Sequence, residues 1–344
     1  MSENNASGKK STLEGFGESV GRAEALMAAP TALEGFDAHA AAGADSHAAA
    51  GVRGEAPLPR RKFKKYFRET GWRHIVGVVV AVFAIFPLLY VLSASLNPGG
   101  TLLTANGLFS NVSIESYVDL FQSETHPYGA WFVNTLMIGL ITAAGTVILG
   151  ALAAYAFSRM RFTGRRFGLT TLLVVQMFPQ MLAMVAIFLL MVQISDIFPA
   201  IGLNTQIGLI MVYLGGALGV NTYLMYGFFN TIPASIDEAA KIDGAGHARI
   251  FFTIILRLVA PILAVVGLLS FIGTSSEFVI ASIILIDPEK QTLAVGLYKF
   301  ISDEFSKNWS LFAAGAVLAA ILPVALFLAL QRYIVGGLTA GSVK

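Results

Sequence analysis

The chain has no cysteine in its 344 residues, which excludes disulfides, thiolate metal sites and cysteine nucleophiles. Charge is scarce too. Only 13% of residues are Asp, Glu, Lys or Arg, against 56% hydrophobic, and the mean hydropathy is +0.70. A soluble domain of this size rarely reaches such values, whereas a chain with several membrane spans does so easily. There is no G-x-x-x-x-G-K-[ST] phosphate loop, so the chain does not itself hold ATP by that device. It also lacks an H-E-x-x-H pair, and its five histidines, at 39, 47, 74, 126 and 247, are scattered. No nucleophile–base constellation stands in the apolar stretches, and no metal site is expected. These absences argue against an enzyme.

What is present is apolar length. Six stretches, about 75–96, 131–157, 168–194, 207–229, 258–286 and 310–331, each match the roughly 20 helical residues that cross a bilayer about 30 Å thick. Pro87, Pro179 and Pro323 lie inside them, where neighbouring helices can satisfy the freed backbone groups. The expected fold is an all-α polytopic membrane protein with six transmembrane helices over 75–344, behind a disordered N-terminal tail. Residues 1–56, rich in Ala, Gly, Ser and Glu without apolar periodicity, read as that cytoplasmic tail. They carry no signal-peptide pattern, and their two LEGF copies at Leu13–Phe16 and Leu33–Phe36 read as chance or low-complexity duplication.

Residues 57–74 form a basic juxtamembrane segment in which Arg60, Arg61, Lys62, Lys64, Lys65, Arg68 and Arg73 alternate with Phe63, Tyr66, Phe67 and Trp72. Such a pattern can bind nucleic acid. Directly ahead of an apolar stretch it reads instead as a positive-inside flank with an interfacial anchor. With this flank inside, Arg159, Arg161, Arg165, Arg166, Lys241, Arg249, Arg257, Arg332 and Lys344 fall inside as well, whereas Lys290, Lys299 and Lys307 fall outside. The loop 97–130 has no Lys or Arg and carries Glu115, Asp119 and Glu124. Both termini are therefore expected in the cytoplasm.

Between the fourth and fifth stretches lies a polar run, Asn230 to Arg257. Ser235 and Glu238 have capping-box spacing, and Ile236, Ala239, Ala240 and Asp243 recur at helical spacing. Asp243-Gly244 is a turn signal and Gly246 a second flexible point. Helical spacing resumes at Ile250, Phe251, Ile254 and Ile255. Two short helices meeting at Gly244 are expected, on one side of the membrane. Small alanine side chains there would let a partner backbone come close, although an ordinary interhelical loop can have the same composition.

Glu238, Ala239, Ala240, Asp243, Gly244 and Ala245, followed by Ile255, Leu256 and Pro261, resemble the E-A-A-x-x-D-G-A signature of permease subunits of binding-protein-dependent ABC importers. Further motifs are similar to the carbohydrate branch of that family. They are Asn134-Thr135, Ala153–Arg159 (AAYAFSR), Arg161–Arg165 (RFTGR), Met177-x-Pro179, Ile232-Pro233, Thr292–Phe300 and the final QRYIVGGLTAGSVK. The ending most resembles the second, G-type permease subunit of maltose and maltodextrin importers. The resemblance covers about 75–344.

It implies a multi-pass permease of a bacterial or archaeal plasma (inner) membrane that moves a maltose/maltodextrin-type oligosaccharide, with another sugar or polyol as the alternative. It also implies a sister permease, two ATPase subunits that bind ATP and Mg, an extracytoplasmic sugar-binding protein and no cofactor in this chain. Membrane lipid, not nucleic acid, completes the surroundings. The ATPases would dock on Glu238, Ala239, Ala240, Asp243, Gly244 and Ala245. One departure is Arg257, where the family usually has proline; a straighter start to the fifth helix is expected from it. A secondary transporter would share the hydropathy but would need no docking loop.

Polar residues inside the stretches suggest a substrate pathway. Glu277 follows Thr274-Ser275-Ser276, where relatives of the carbohydrate branch often have Trp-Asn before the Glu. A central carboxylate costs about 2.5–3.5 kcal/mol on insertion scales, so it should face protein or water. It is either a pathway residue or a structural hydrogen-bonding group. Ser276, Asn221 and Gln176 are the other pathway candidates, and polar side chains of this kind also hold membrane helices together. Met177, Met181 and Met184 read as packing.

Overall fold

A computed structural model describes residues 71–98, 107–302 and 308–340. The tail expected over 1–56, residues 57–70 of the basic segment and the last four residues lie outside these. The chain divides into units 1–75 and 76–344, and the architecture below is that of the second, entered through helix α1.

The described residues are helical, with no strand among them. In order they form α1 (Trp72–Ser95), α2 (Glu115–Gln122), α3 (Tyr128–Arg159), α4 (Arg165–Gln176), α5 (Gln180–Ile197), α6 (Gln206–Gly216) and α7 (Val220–Phe229). Then follow α8 (Ala234–Ile242), α9 (His247–Leu258), α10 (Ala260–Ser276), α11 (Val279–Ile284), α12 (Leu293–Ser302) and α13 (Trp309–Ala340). Three helices, α1, α3 and α13, are long and apolar enough to cross a membrane alone, and bent pairs raise the number to six. The pairs are α4 with α5, bent by 96°, α6 with α7, by 53°, and α9 with α10, by 79°. The six apolar stretches of the sequence thus fall on three straight and three broken helices.

Each break has a local cause. In the third span Pro179 is the N-cap of α5 in extended conformation, and its missing N–H cannot continue α4. The fourth span breaks between Gly216 and Val220, and a side chain from α4 fills the gap. Gln176 Nε2 donates to the Gly216 carbonyl at 2.7 Å, and the Val220 N–H donates to Gln176 Oε1 at 3.1 Å. One carboxamide therefore satisfies the acceptor on one side of the break and the donor on the other. Gly219 makes room for it, since a Cβ there would overlap Gln176 Cδ.

The fifth span corrects two expectations. It does not start straighter for having Arg257. A wide π-turn at Ile250–Ile255 leads to Val259 (φ −93°, ψ 4°), where the chain bends. Pro261, inside the first turn of α10, is sufficient cause. Its ring would strike the carbonyl four residues back, that of Arg257, in a continuous helix. Nor does the helix run on to 286. It ends at Ser276, and α11 restarts at Val279.

Helix α3 is the centre of the packing. Gly139 lies under Phe271 of α10, where a Cβ would come 2.7 Å from Phe271 Cε2, and Gly150 lies under Met225 of α7. Small residues let membrane helices approach this closely. Ser270 Oγ donates to Thr146 Oγ1 at 3.1 Å across the same α3–α10 contact.

The first turns of α3 also hold the segment between α11 and α12. Trp131 Nε1 donates to the Pro288 carbonyl at 2.7 Å, and Asn134 Nδ2 to the carbonyls of Glu289 and Gln291 at 2.7 and 3.0 Å. The Leu293 N–H donates to Thr135 Oγ1 at 2.7 Å, and Gln206 Nε2 donates to Asn134 Oδ1 at 2.6 Å. Asn204 completes this end by donating to Asp287 Oδ2 at 2.6 Å. That bond and the ammonium of Lys290 hold the Asp287 carboxyl below the usual carboxylate range.

Three substitutions test this packing. A Cβ at Gly296 would overlap the ring of Trp131, which is fully buried and fixed by its hydrogen bond. Overpacking costs about 1–3 kcal/mol, so Gly296→Ala is expected to lower the thermal midpoint of the solubilised protein. Gly227→Ala, with nothing within 4 Å of the new Cβ, is expected to leave it unchanged. Equal midpoints for the two would refute the account of the Trp131 clamp. Gln176→Leu leaves Gly216 O and Val220 N without their side-chain partner, and each hydrogen bond lost costs about 0.5–1.5 kcal/mol net. It too is expected to lower the midpoint, and an unchanged value would show that the carboxamide does not hold the break.

Candidate docking segment and polar sites in the spans

The segment 230–257 forms the two short helices expected. Helix α8 starts after Pro233 (φ −57°, ψ 134°), and no side-chain cap bond is made. The Ser235–Glu238 capping box is therefore not formed. Pro233 takes the N-cap position, which puts Ser235 already inside the first turn. The C-terminus closes as a Schellman motif. Gly244 sits at φ +80°, its N–H donates to Lys241 O at 3.0 Å, and the Ala245 N–H donates to Ala240 O at 2.9 Å. The Asp243-Gly244 corner is a built turn, and glycine is needed there because its φ lies in the left-handed region.

The six residues singled out do not share one face. Glu238, Ala239, Asp243 and Gly244 are exposed. Ala240 is 8% exposed and packs with Ile236 into a core of Ala154, Tyr155, Phe229, Ile250 and Phe251, and Ala245 is half-buried against the same core. Ile236 and Ala240 form the inward stripe, one turn apart, while Ala239 and Asp243 form the neighbouring stripe outward. The outward stripe includes a residue that sequence reasoning missed. Ile242 is 87% exposed, a large aliphatic standing off the core face next to the glycine corner. That position is the signal that could have found it.

A second omission is Asp237. It is 6% exposed, and its Oδ2 lies 2.8 Å from Arg159 Nε at the end of α3. The N–H is not aligned on that oxygen, and neither carboxylate oxygen has a hydrogen-bond donor among the described residues. Charge, not a directed hydrogen bond, joins the pair. Arg159 Nη2 also donates to Ile232 O at 2.9 Å, and the Tyr155 hydroxyl lies 3.3 Å from His247 Nδ1. Between α3 and α8 runs a cleft of about 640 Å³ bordered by Ser158, Arg161, Ala234, Lys241 and His247.

The four pathway candidates fall in two places. Gln176 closes the break in the fourth span beside Val220, the chain neighbour of half-buried Asn221. Glu277 closes the second interruption of the fifth span, between α10 and α11. Its Oε1 accepts from Ile280 N at 2.8 Å, and its Oε2 from Ala281 N at 3.0 Å and from the Tyr213 hydroxyl at 2.7 Å. Three donors on one carboxylate compensate much of its desolvation. Ser276 beside it is exposed. Among the described residues no group of three or more His, Cys, Asp or Glu could hold a metal ion.

The chain is similar to known proteins. Residues 146–339 match the family described as binding-protein-dependent transport system inner membrane component. The galactooligosaccharides transport system permease protein GanQ of Bacillus subtilis (strain 168) is 41% identical over 288 residues, 83% of this chain and 99% of that protein. The maltose/maltodextrin transport system permease protein MalG of Yersinia pestis is 41% identical over 282 residues, 79% of this chain and 92% of that protein. The maltodextrin transport system permease protein MdxG of Bacillus subtilis (strain 168) is 39% identical over 266 residues, covering 77% and 93%. In fold, the chain matches one from the crystal structure of a bacterial ABC transporter involved in the import of the acidic polysaccharide alginate. The TM-score is 0.63 and the identity 24%, over 80% of this chain and 99% of that one. The chain belongs to the family of inner-membrane permeases of binding-protein-dependent transport systems.

Proposed function

We propose that this permease carries an oligosaccharide of the maltose/maltodextrin type into the cell, driven by ATP that partner subunits bind with Mg and hydrolyse. The observation that carries the reading is α8. It is a short helix ending in a glycine corner, presenting Glu238, Ala239, Ile242 and Asp243 outside the core of its own chain. An exposed isoleucine beside small side chains suits a cleft on an ATPase. A sister permease, two ATPases and an extracytoplasmic sugar-binding protein complete the importer, and both termini lie in the cytoplasm.

Closure of the ATPases on ATP would carry α8 with it and move the spans between inward- and outward-open arrangements. Coupling is reciprocal: a sugar-loaded binding protein outside then favours ATPase closure inside. Asn221 and Ser276 border the sugar pathway, and Gln176 and Glu277 shape it by holding the breaks. Galactooligosaccharide is the second reading for the cargo, favoured by the similarity to GanQ. Uptake of a panel of labelled maltodextrins and galactooligosaccharides by the intact importer decides between the two.

The docking role is tested by Ala239→Asp and Gly244→Val. The first places a charge where the ATPase would bury it, and an uncompensated buried charge costs about 3–5 kcal/mol. The second puts a β-branched residue at φ +80°. Both variants are expected to reach the membrane, lose the ATPase in pull-down and cease uptake. Normal ATPase stoichiometry with normal uptake in either would refute the docking role. Orientation is tested with single cysteines in this cysteine-free chain. Ser302→Cys is expected to react with an impermeant thiol reagent added outside intact cells and Thr163→Cys only after permeabilisation. The opposite labelling would invert the topology.

A further inference from the structure

Tyr155 and Arg159 lie four residues apart in the last turns of α3, on one helix face. Between them they touch the docking segment at three points along its length. Arg159 Nη2 holds the Ile232 carbonyl ahead of α8, Arg159 Nε lies against Asp237 within α8, and the Tyr155 hydroxyl meets His247 at the start of α9. The side chains of Arg159 and Asp237 are only 11% and 8% exposed, so their attraction acts in a medium where it is screened little. No other helix bonds to all three parts of the segment among the described residues. Helix α3 is also the helix on which α10 and α7 pack, through Gly139 and Gly150.

We propose that the Arg159–Asp237 ion pair is the coupling link that ties the docking segment to α3, making Arg159 a positioning residue for transport. This rests on α8 being the ATPase docking element. The pair is not on the exposed stripe of α8: it lies in the cleft between α3 and α8, with its side chains only 11% and 8% exposed. Its role is to make α8 and α3 move as one body, so that displacement of the exposed stripe reaches the spans packed on α3. Loss of the pair should leave ATPase binding in place and let α8 move without moving α3. ATP would then be hydrolysed with less sugar moved.

The test uses the complete importer in lipid vesicles with its ATPase and binding protein, reading ATPase stoichiometry by pull-down and sugar accumulated per ATP hydrolysed. Arg159→Gln, Asp237→Asn and the double variant are compared, with Ala239→Asp in parallel. Each single variant is expected to keep the ATPase and lose about tenfold in sugar per ATP. The double variant is expected to lose no more than the worse single one, because each change removes the same link.

Multiplying losses in the double variant would show two independent effects and overturn the proposal. So would single variants with unchanged sugar per ATP, or a double variant restored to normal, which would leave only the cost of one unpaired buried charge. Should Arg159→Gln fail to assemble, Asp237→Asn carries the comparison, since it removes the charge at nearly constant shape. If Ala239→Asp keeps both ATPase and uptake, the docking reading fails. If Ala239→Asp loses the ATPase while Arg159→Gln transports normally, only the coupling link fails.

Discussion

Helix α3 is gripped at both ends, and most of the fold depends on that. At one end Trp131, Asn134 and Thr135 bond the backbone of the segment from Pro288 to Leu293. At the other, Tyr155 and Arg159 bond the segment from Ile232 to His247. Both segments are irregular or short-helical, with backbone groups that helices do not satisfy internally. In a membrane protein such backbone is tolerated where side chains of a packed helix supply the missing partners. One continuous 32-residue helix thus positions two surfaces that lie far apart along its length.

The three broken spans pose the same problem within the helices themselves. Each interruption leaves carbonyls and N–H groups without helical partners, and each costs stability unless they are paired. Gln176 pairs them from a distance in sequence, and Glu277 pairs N–H groups three and four residues ahead of it. Gln176 reaches from the third span into the break of the fourth, and Glu277, between α10 and α11, accepts a hydrogen bond from Tyr213 in the fourth. Spans three, four and five are consequently linked through α6. A change of angle at one break would disturb the hydrogen bonds of another.

Much of this protein was determined by sequence alone. Apolar runs of membrane-spanning length and the glycine corner at 243–244 follow from local rules about hydropathy and left-handed φ. They needed no knowledge of neighbours, and the structure agrees with them. The motif residues Asn134, Thr135, Tyr155 and Arg159 were visible as a pattern, but their partners were not. Those partners lie 72 to 158 residues away, from Asn134 with Gln206 to Thr135 with Leu293.

What only the tertiary structure decided is which way each polar or small side chain faces. Ala239 and Ala240 are chemically identical neighbours, yet one is exposed and the other is 8% exposed against Ile250 and Phe251. A rotation of about 100° per residue separates them, and the packing of α9 beneath α8 sets its phase. Nothing in the local sequence sets Asp237 apart from the other charges of its polar run, and it is a buried partner of Arg159 because the end of α3 lies against it. Arg257 in place of proline suggested a straight start to the fifth span, but Pro261 four residues on bends it at Val259. In each case composition and spacing set the local options, and contacts between residues distant in sequence chose among them.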